Sequence, residues 1–338
     1  MISYEWLIEK GIGETRAALL ADDDTIVQAR IETDTPCLRA GSVIDVRLAD
    51  GINATGRTMA TTDKGDPVWV ASVPRSLTKG SLLRVEIIRE TVIERGIVKP
   101  PHARPALPDT ALKDGLSLEM RAKASGYPVS YQQNHQPDRL EKAGWSEIIE
   151  QARSGDMDFA GGRLRMALTP ALTLFDIDGH LAALDLALKG TEATARAITL
   201  FGVGGSIGID IPGLSGKSDR QQVAECLDRH LPAPFERTGV NGFGFLQIIR
   251  QKKRPSLPEQ IASHPIEHET RQLLRQACRA KGAGKRVLTA SHFVIECLKR
   301  HPEWLDALSR STAAEIILKA EPMRPIYQGD VGVEFPSF

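Results

Sequence analysis

Three aspartates in the middle of the sequence follow apolar runs of strand-forming residues. Asp176 and Asp178 end the run LTLFDID, and Asp210 ends the run SIGID. Side chains two residues apart on a strand point to the same face, so the first two carboxylates can converge. Carboxylates gathered at one place repel unless a cation joins them, and hard oxygen ligands favour Mg²⁺ or Mn²⁺. The pattern predicts a metal centre for phosphodiester chemistry. The alternative, left open by the residues alone, is that each aspartate forms a turn or caps a helix.

A basic segment, RQKKRPSL, follows a predicted strand of the same region. Its four cations can neutralise phosphates and confer salt-sensitive binding. The alternative is a solvated basic loop. The residues concerned are Arg250, Lys252, Lys253 and Arg254.

The elements that would position these side chains read as strand, helix, strand, helix, strand, which is an α/β layered pattern. Two strands are predicted around a turn at Thr169-Pro170, followed by a helix that opens at Thr191 and closes at glycine. A right-handed crossover between parallel strands would place Asp176 and Asp210 at the carboxyl ends of one sheet.

The patterns divide the chain into four units within an α/β (α+β overall) fold. Residues 1–99 are predicted to be β-rich and to form a small barrel or sandwich. Residues 100–155 are predicted to contain a proline-rich linker over 100–109, followed by a helical segment that ends at Gly155. Residues 156–262 are the α/β layered unit, and residues 263–338 are predicted to be helical.

Composition excludes few classes of protein. Lys+Arg and Asp+Glu are both 43 in 338 residues, so any nucleic-acid binding must come from local clusters of charge. No apolar run is long enough for a membrane span, and the acidic residues near the start do not suit a signal peptide. The four cysteines are scattered without a CxxC pair, which predicts reduced thiols in a cytoplasmic protein.

Four blocks, in order over residues 161–257, resemble the catalytic core of the ribonuclease E/G family. They are GGRLRMALTPALTLFDIDG, KGTEATARAI, VGGSIGIDIPGL and FGFLQIIRQKKRPSL. The resemblance implies a DNase I-like core, an OB-type insert at 41–99, and a Mg²⁺-dependent endoribonuclease. Such an enzyme cleaves single-stranded RNA and leaves a 5′-phosphate and a 3′-hydroxyl.

The resemblance also implies roles for single residues. The family's two metal-binding aspartates match Asp176 and Asp210, and an asparagine of the family becomes Asp178. The basic segment would contact the RNA backbone. Arg220 and Gln221 match the region of an HQR motif and would orient the substrate or the acids.

Departures from the family pattern limit what is carried over. The zinc-linking CPxC motif is missing, and Cys278 stands alone, so a structural zinc is not supported unless His264, Glu267 and His268 rebuild a site. Arg121 matches an arginine of the 5′-monophosphate sensor, but Ala122 replaces its threonine, so no 5′-end sensing is expected. The oligomeric state, including a homo-oligomer, stays open.

Two other functions remain. Loss of the zinc link and of base-stacking aromatics favours a non-catalytic RNA-binding relative, although retained acids would repel RNA in the absence of a metal. A metal-dependent phosphoesterase for smaller substrates would suit the reduced RNA-binding parts, whereas the basic segment favours a polymer.

Overall fold

A computed structural model describes residues 3–94 and 96–335 and shows a mixed α/β protein, as predicted. The chain opens with an antiparallel meander of β1 (Tyr4–Lys10), β2 (Glu14–Ala21) and β3 (Ile26–Thr33). Within the described residues, no helix is both long and apolar enough to cross a membrane.

A closed five-stranded barrel follows, rather than a sandwich. The elements of this region are β4 (Val43–Leu48), β5 (Thr58–Thr61), β6 (Pro67–Val70), β7 (Leu82–Arg89), a hairpin of β8 (Val92–Glu94) and β9 (Ile97–Lys99), and β10 (His102–Pro105). Their order around the barrel is β10-β6-β5-β4-β7. Part of the predicted linker is therefore a strand. The prolines stand before and at the end of β10, where they remove few ladder hydrogen bonds, and the buried Ala103 turns into the barrel.

The connecting segment returns the chain to the first sheet. It contains α1 (Leu118–Ala124), β11 (Val129–Gln132), α2 (Arg139–Lys142) and α3 (Trp145–Ser154). Strand β11 pairs with β1 in parallel. Helix α3 ends at Gly155 in the left-handed conformation with φ 80°, as its sequence predicts.

The predicted α/β unit is a six-stranded sheet with helices on one face. It comprises β12 (Asp156–Phe159), β13 (Gly162–Leu168), β14 (Thr173–Gly179), α4 (Ala183–Phe201), β15 (Gly205–Asp210), α5 (Lys217–His230), β16 (Glu236–Arg237) and β17 (Phe245–Arg250). The strand order is β12-β13-β14-β15-β17-β16. Strands β13 and β14 form the predicted hairpin, and β14 and β15 are parallel and joined by α4.

Helix α4 begins at Ala183, eight residues before the predicted start at Thr191. The glycine at position 190 suggests a helix boundary in the sequence, but in the structure it lies in mid-helix. A Cβ there would lie 2.4 Å from Cγ2 of Ile177, so the helix approaches the sheet closely at this point. Thr191 is fully buried within the helix instead of capping it.

The last unit is not wholly helical, which corrects the prediction for residues 263–338. It contains α6 (Leu257–Ser263), α7 (Pro265–Arg279), β18 (Lys285–Ser291), α8 (His292–Arg300), α9 (Pro302–Thr312), β19 (Ile316–Glu321) and β20 (Asp330–Glu334). The strands form a sheet in the order β19-β18-β20. Each is short and pairs with residues distant in sequence, so local patterns gave little signal. The division of the chain into four units stays a prediction.

Candidate functional site

Two of the predicted metal-binding aspartates occupy paired positions on neighbouring strands. Asp176 of β14 is the register partner of Asp210 of β15, and the two strands run parallel. Adjacent strands lie about 4.8 Å apart, and paired residues project from the same face. The local sequence determines the face, because the buried Phe175 and Ile177 alternate with the acids and turn toward α4. The structure therefore brings together the two carboxylates that the sequence singled out.

The face that carries these acids is exposed to solvent. Asp178 lies two residues beyond Asp176 on the same face, and its side chain is 57% exposed. Asp210 is exposed and Asp176 is half-buried. All three aspartates are therefore accessible to a substrate that lies across the open face of the sheet.

Arg165 also belongs to this site, and the sequence analysis did not identify it. It lies on β13 as the register partner of Asp176. Its Nη1 lies 3.3 Å from Oδ2 of Asp178, and its Nε lies 3.9 Å from Oδ1 of Asp156. The alternating arginines of GGRLRMAL, in a strand predicted to pair with the acidic strand, were the signal that could have revealed it.

The electrostatics of the site disfavour ionisation of Asp176. Partial burial and then the negative charges of Asp178 and Asp210 raise the pKa of the Asp176 carboxyl, while Arg165 opposes this shift. A bound cation would favour the ionised form of all three carboxylates. A cation at this site would therefore reduce the repulsion between the carboxylates.

The residues present suit an ion that keeps several water ligands, such as magnesium, better than an ion whose ligands all come from the protein. Among residues 3–94 and 96–335, no three Asp, Glu, His or Cys side chains are arranged as ligands of one ion. Magnesium is commonly held by one or two carboxylates together with water and substrate phosphate oxygens. Asp176 and Asp210 supply such a pair, whereas Asp178 is engaged by Arg165.

Arg220 and Gln221 lie near the start of α5, which follows Asp210 through a short loop. Nη1 of Arg220 donates to the carbonyl oxygen of Leu214 at 3.0 Å, so the arginine holds this loop. Nε2 of Gln221 donates to Glu225 within the helix. The described contacts thus place Arg220 as a support for the loop that follows Asp210, and Gln221 on an exposed helix surface.

The basic segment lies at the other end of these strands. Because β17 runs antiparallel to β15, Arg250 pairs with Gly205 and lies five residues, or roughly 17 Å, from the level of Asp210. Arg250 also belongs to the alternation that faces the helices rather than the open face. Lys252 pairs with Glu259, and Arg254 pairs with Glu90 at 2.8 Å. Lys253 is exposed.

All four residues of the basic segment line a cavity of about 850 Å³ between the barrel, the first sheet and the six-stranded sheet. Arg121 lines the same cavity. Its Nη1 donates to Glu32 at 3.2 Å and to the carbonyl oxygen of Leu116 at 2.8 Å. The basic segment and the acids are therefore separate in the fold and cannot contact one phosphate.

The residues considered for zinc are distributed along α7. His268 and Cys278 are ten residues apart on this helix, which separates them by about 15 Å, too far for one ion within a protomer. His268 is buried, and burial followed by the charges of nearby arginines lowers its pKa to about 3. Glu267 pairs with Arg271 at 3.1 Å.

The chain resembles ribonuclease G over part of its length. It is 28% identical over 153 residues to "Ribonuclease G" of Escherichia coli (strain K12), and the match covers 42% of this chain and 29% of that protein. Ribonuclease G of Salmonella typhimurium (strain SL1344) is 27% identical over 153 residues with the same coverage. The chain thus matches less than a third of the length of these curated relatives. No family model matches the sequence.

Proposed function

We propose that this protein is a metal-dependent endoribonuclease that hydrolyses phosphodiester bonds of single-stranded RNA. The observation that carries the proposal is the pairing of Asp176 with Asp210 on the open face of the six-stranded sheet. An acidic pair facing a polyanion would weaken binding unless a cation joined them. The likeness to ribonuclease G supports RNA as the substrate class, and we assign the sheet to the DNase I-like core that the resemblance implies.

In this proposal each residue has a limited task. Asp176 and Asp210 hold Mg²⁺ or Mn²⁺, Arg165 fixes Asp178 beside them, and Arg220 holds the loop after Asp210. Bound magnesium would activate water and neutralise charge on the scissile phosphate. Lys253, the exposed residue of the basic segment, contacts the RNA backbone away from the point of cleavage, while Lys252 and Arg254 hold the segment in place through their ion pairs.

The direct test is cleavage of a labelled single-stranded oligoribonucleotide by Asp176→Asn and Asp210→Asn variants in Mg²⁺. Each change removes one ligand charge, and cleavage should fall by about 100-fold or more. Affinity for RNA in EDTA and the unfolding transition should stay close to those of the wild-type protein. Asp158→Asn is a matched control, since Asp158 is an exposed acid of the same face that pairs with Arg163 and should be dispensable. Full activity in either variant would refute the proposed site.

One observation favours the smaller-substrate alternative. Lys252 and Arg254 are each paired with a glutamate, so the basic segment offers less free positive charge to a polymer than its sequence suggests. A dinucleotide tested beside the oligonucleotide separates the two functions. Faster turnover of the dinucleotide would identify a phosphoesterase, and binding of RNA without cleavage in any divalent metal would identify a non-catalytic binder.

A further inference from the structure

An exposed aromatic ring lies at the same end of the sheet as the paired aspartates. Phe243 is 95% exposed and belongs to the turn that leads into β17. The first residue of that strand, Phe245, is the register partner of Asp210. A single exposed apolar side chain is ordinary on a protein surface, so its meaning depends on how the turn is built.

The turn is held in one conformation by its asparagine. Oδ1 of Asn241 accepts hydrogen bonds from the backbone N–H groups of Phe243, at 2.9 Å, and Phe245, at 3.0 Å. The N–H of Asn241 donates to the carbonyl oxygen of Phe245 at 3.0 Å. Because the backbone is already fixed, a ligand that stacks on the Phe243 ring need not order this loop.

The same turn is joined directly to the strand end that carries Asp210. The N–H of Ile211 donates to the carbonyl oxygen of Gly244 at 2.9 Å. Gly244 has φ +84°, and a Cβ on it would lie 2.5 Å from the carbonyl oxygen of Ile211, so this close contact requires glycine. Gly244 directly follows Phe243, and Ile211 directly follows Asp210. The hydrogen bond between Gly244 and Ile211 therefore fixes the position of Phe243 relative to Asp210.

On the β17 side of the paired aspartates, the open face of the sheet is apolar. The ring of Phe245 lies over Gly208, where its Cζ would be 2.4 Å from a Cβ, and Leu172 lies close to the same point. On the other side of the paired aspartates, Arg165 provides a cation. A site with an aromatic and apolar side and a charged side matches a nucleotide, which has a base and a phosphate.

We infer that Phe243 stacks on an unpaired nucleobase next to the scissile phosphate, an assignment that rests on the proposed function. Aromatic rings are the usual platforms for single-stranded RNA and accept any base. The barrel offers little of this chemistry, since Trp69 is the only aromatic residue between positions 41 and 98. Phe243 supplies it at the metal-binding end of the sheet instead.

The test is a cycle that combines protein variants with abasic RNA. Binding of a single-stranded oligoribonucleotide is measured in Mg²⁺ by rapid mixing, on a timescale shorter than cleavage, with an abasic site at each position in turn. Phe243→Ala should weaken binding of the intact RNA by about 5- to 100-fold. The loss should disappear for the one RNA that already lacks the stacked base. Phe243→Trp should restore affinity, and Phe293→Ala, at a 60% exposed phenylalanine of α8, should leave it unchanged.

The outcomes separate this inference from the proposed function. Wild-type cleavage with unchanged binding by Phe243→Ala would overturn the stacking role and leave the nuclease intact. Dependence on Phe243 in a protein that never cleaves RNA would overturn the nuclease and leave the stacking role. A loss of affinity that is equal for every abasic RNA, or the absence of wild-type binding, also overturns the inference.

Discussion

The ionisation of Asp176 depends on neighbours, such as Arg165, that the pairing of strands brings beside it. The sequence places Asp176 two residues from Asp178, but its pairing with Arg165 and Asp210 follows from the register of three strands. The two-residue spacing predicted that Asp176 and Asp178 share one face of their strand. It could not predict that an arginine engages Asp178, because that contact requires β13 and β14 to pair in one register.

Glu269 is a second residue whose titration is set by its surroundings, and it provides a test of stability against pH. It lines a small cavity with Tyr327 and Arg153. Burial raises its pKa to about 7, while Arg153 opposes the shift and Glu150 adds to it. Since the folded state holds this proton more tightly than the unfolded state, stability should fall as pH rises from about 4.5 to 7.

Glu269→Gln should therefore stabilise the protein at pH 8 and have little effect at pH 4.5. A shift of this size corresponds to about 3 kcal/mol if the group were fully buried, and partial exposure reduces the expectation to about 1–2 kcal/mol. Urea unfolding of both proteins at the two pH values measures the difference. An equal effect at both values would show that packing, not ionisation, is responsible.

Among the secondary structure elements, the sequence predicted those whose position is determined by residues close together in the chain. The hairpin of β13 and β14 and the end of α3 at Gly155 follow from alternation and from a left-handed glycine. The strand β10 and the sheet of β18, β19 and β20 depend on partners far along the chain, and the sequence analysis missed them. The start of α4 was misplaced because Gly190 resembles a boundary, whereas its role is close packing on Ile177.

That role of Gly190 can be tested by replacing it. Alanine normally stabilises a helix interior relative to glycine by about 1 kcal/mol, but here its Cβ would clash with Ile177. Gly190→Ala should instead lower the free energy of unfolding by about 1–3 kcal/mol. Gly239→Ala, where a Cβ meets nothing within 4 Å, should have almost no effect. Stabilisation by Gly190→Ala in urea unfolding would mean that α4 does not pack this closely.

The basic segment after β17 should separate into residues that bind RNA and residues that hold the fold. Lys253→Ala removes an exposed charge and should reduce the slope of log affinity against log salt by about 0.7 without changing stability. Lys252→Ala and Arg254→Ala break ion pairs with Glu259 and Glu90, so they should lower the unfolding midpoint. Salt-dependent RNA binding and thermal unfolding of the three variants provide the comparison. An unchanged slope for Lys253→Ala would leave it a solvated loop residue.

Across the whole molecule, a buried network of charges joins the first sheet to α7. Glu9 of β1 is 1% exposed, and it accepts hydrogen bonds from Arg16 at 3.0 Å and from Arg275 at 2.6 Å. Arg279 adds a further bond at 3.1 Å, and both arginines of α7 also contact Asp138. The buried carboxylate of Glu9 thus interacts with cations of β2 and of α7, which are distant in the chain. It therefore helps to hold the N-terminal sheet against the C-terminal helix.

Replacing Glu9 should therefore have a large and pH-dependent effect on stability. Burial opposes its ionisation, but the hydrogen bonds and charge of Arg275, followed by the charge of Arg16, outweigh this and lower its pKa below the ordinary 4.5. Its stabilising contribution is present above pH 4.5 and is lost as pH falls through the lowered value. Glu9→Gln removes one of the carboxylates that compensate the buried arginines, leaving Glu14 beside Arg16 and Asp138 beside Arg275 and Arg279, and should cost about 3 kcal/mol at pH 7 in urea unfolding. Glu86→Gln, at an exposed pair with Arg104 on the barrel, should cost about 1 kcal/mol or less. The difference between wild type and Glu9→Gln should shrink at pH 3, and a difference that persists there would show that the glutamate acts by shape rather than by charge.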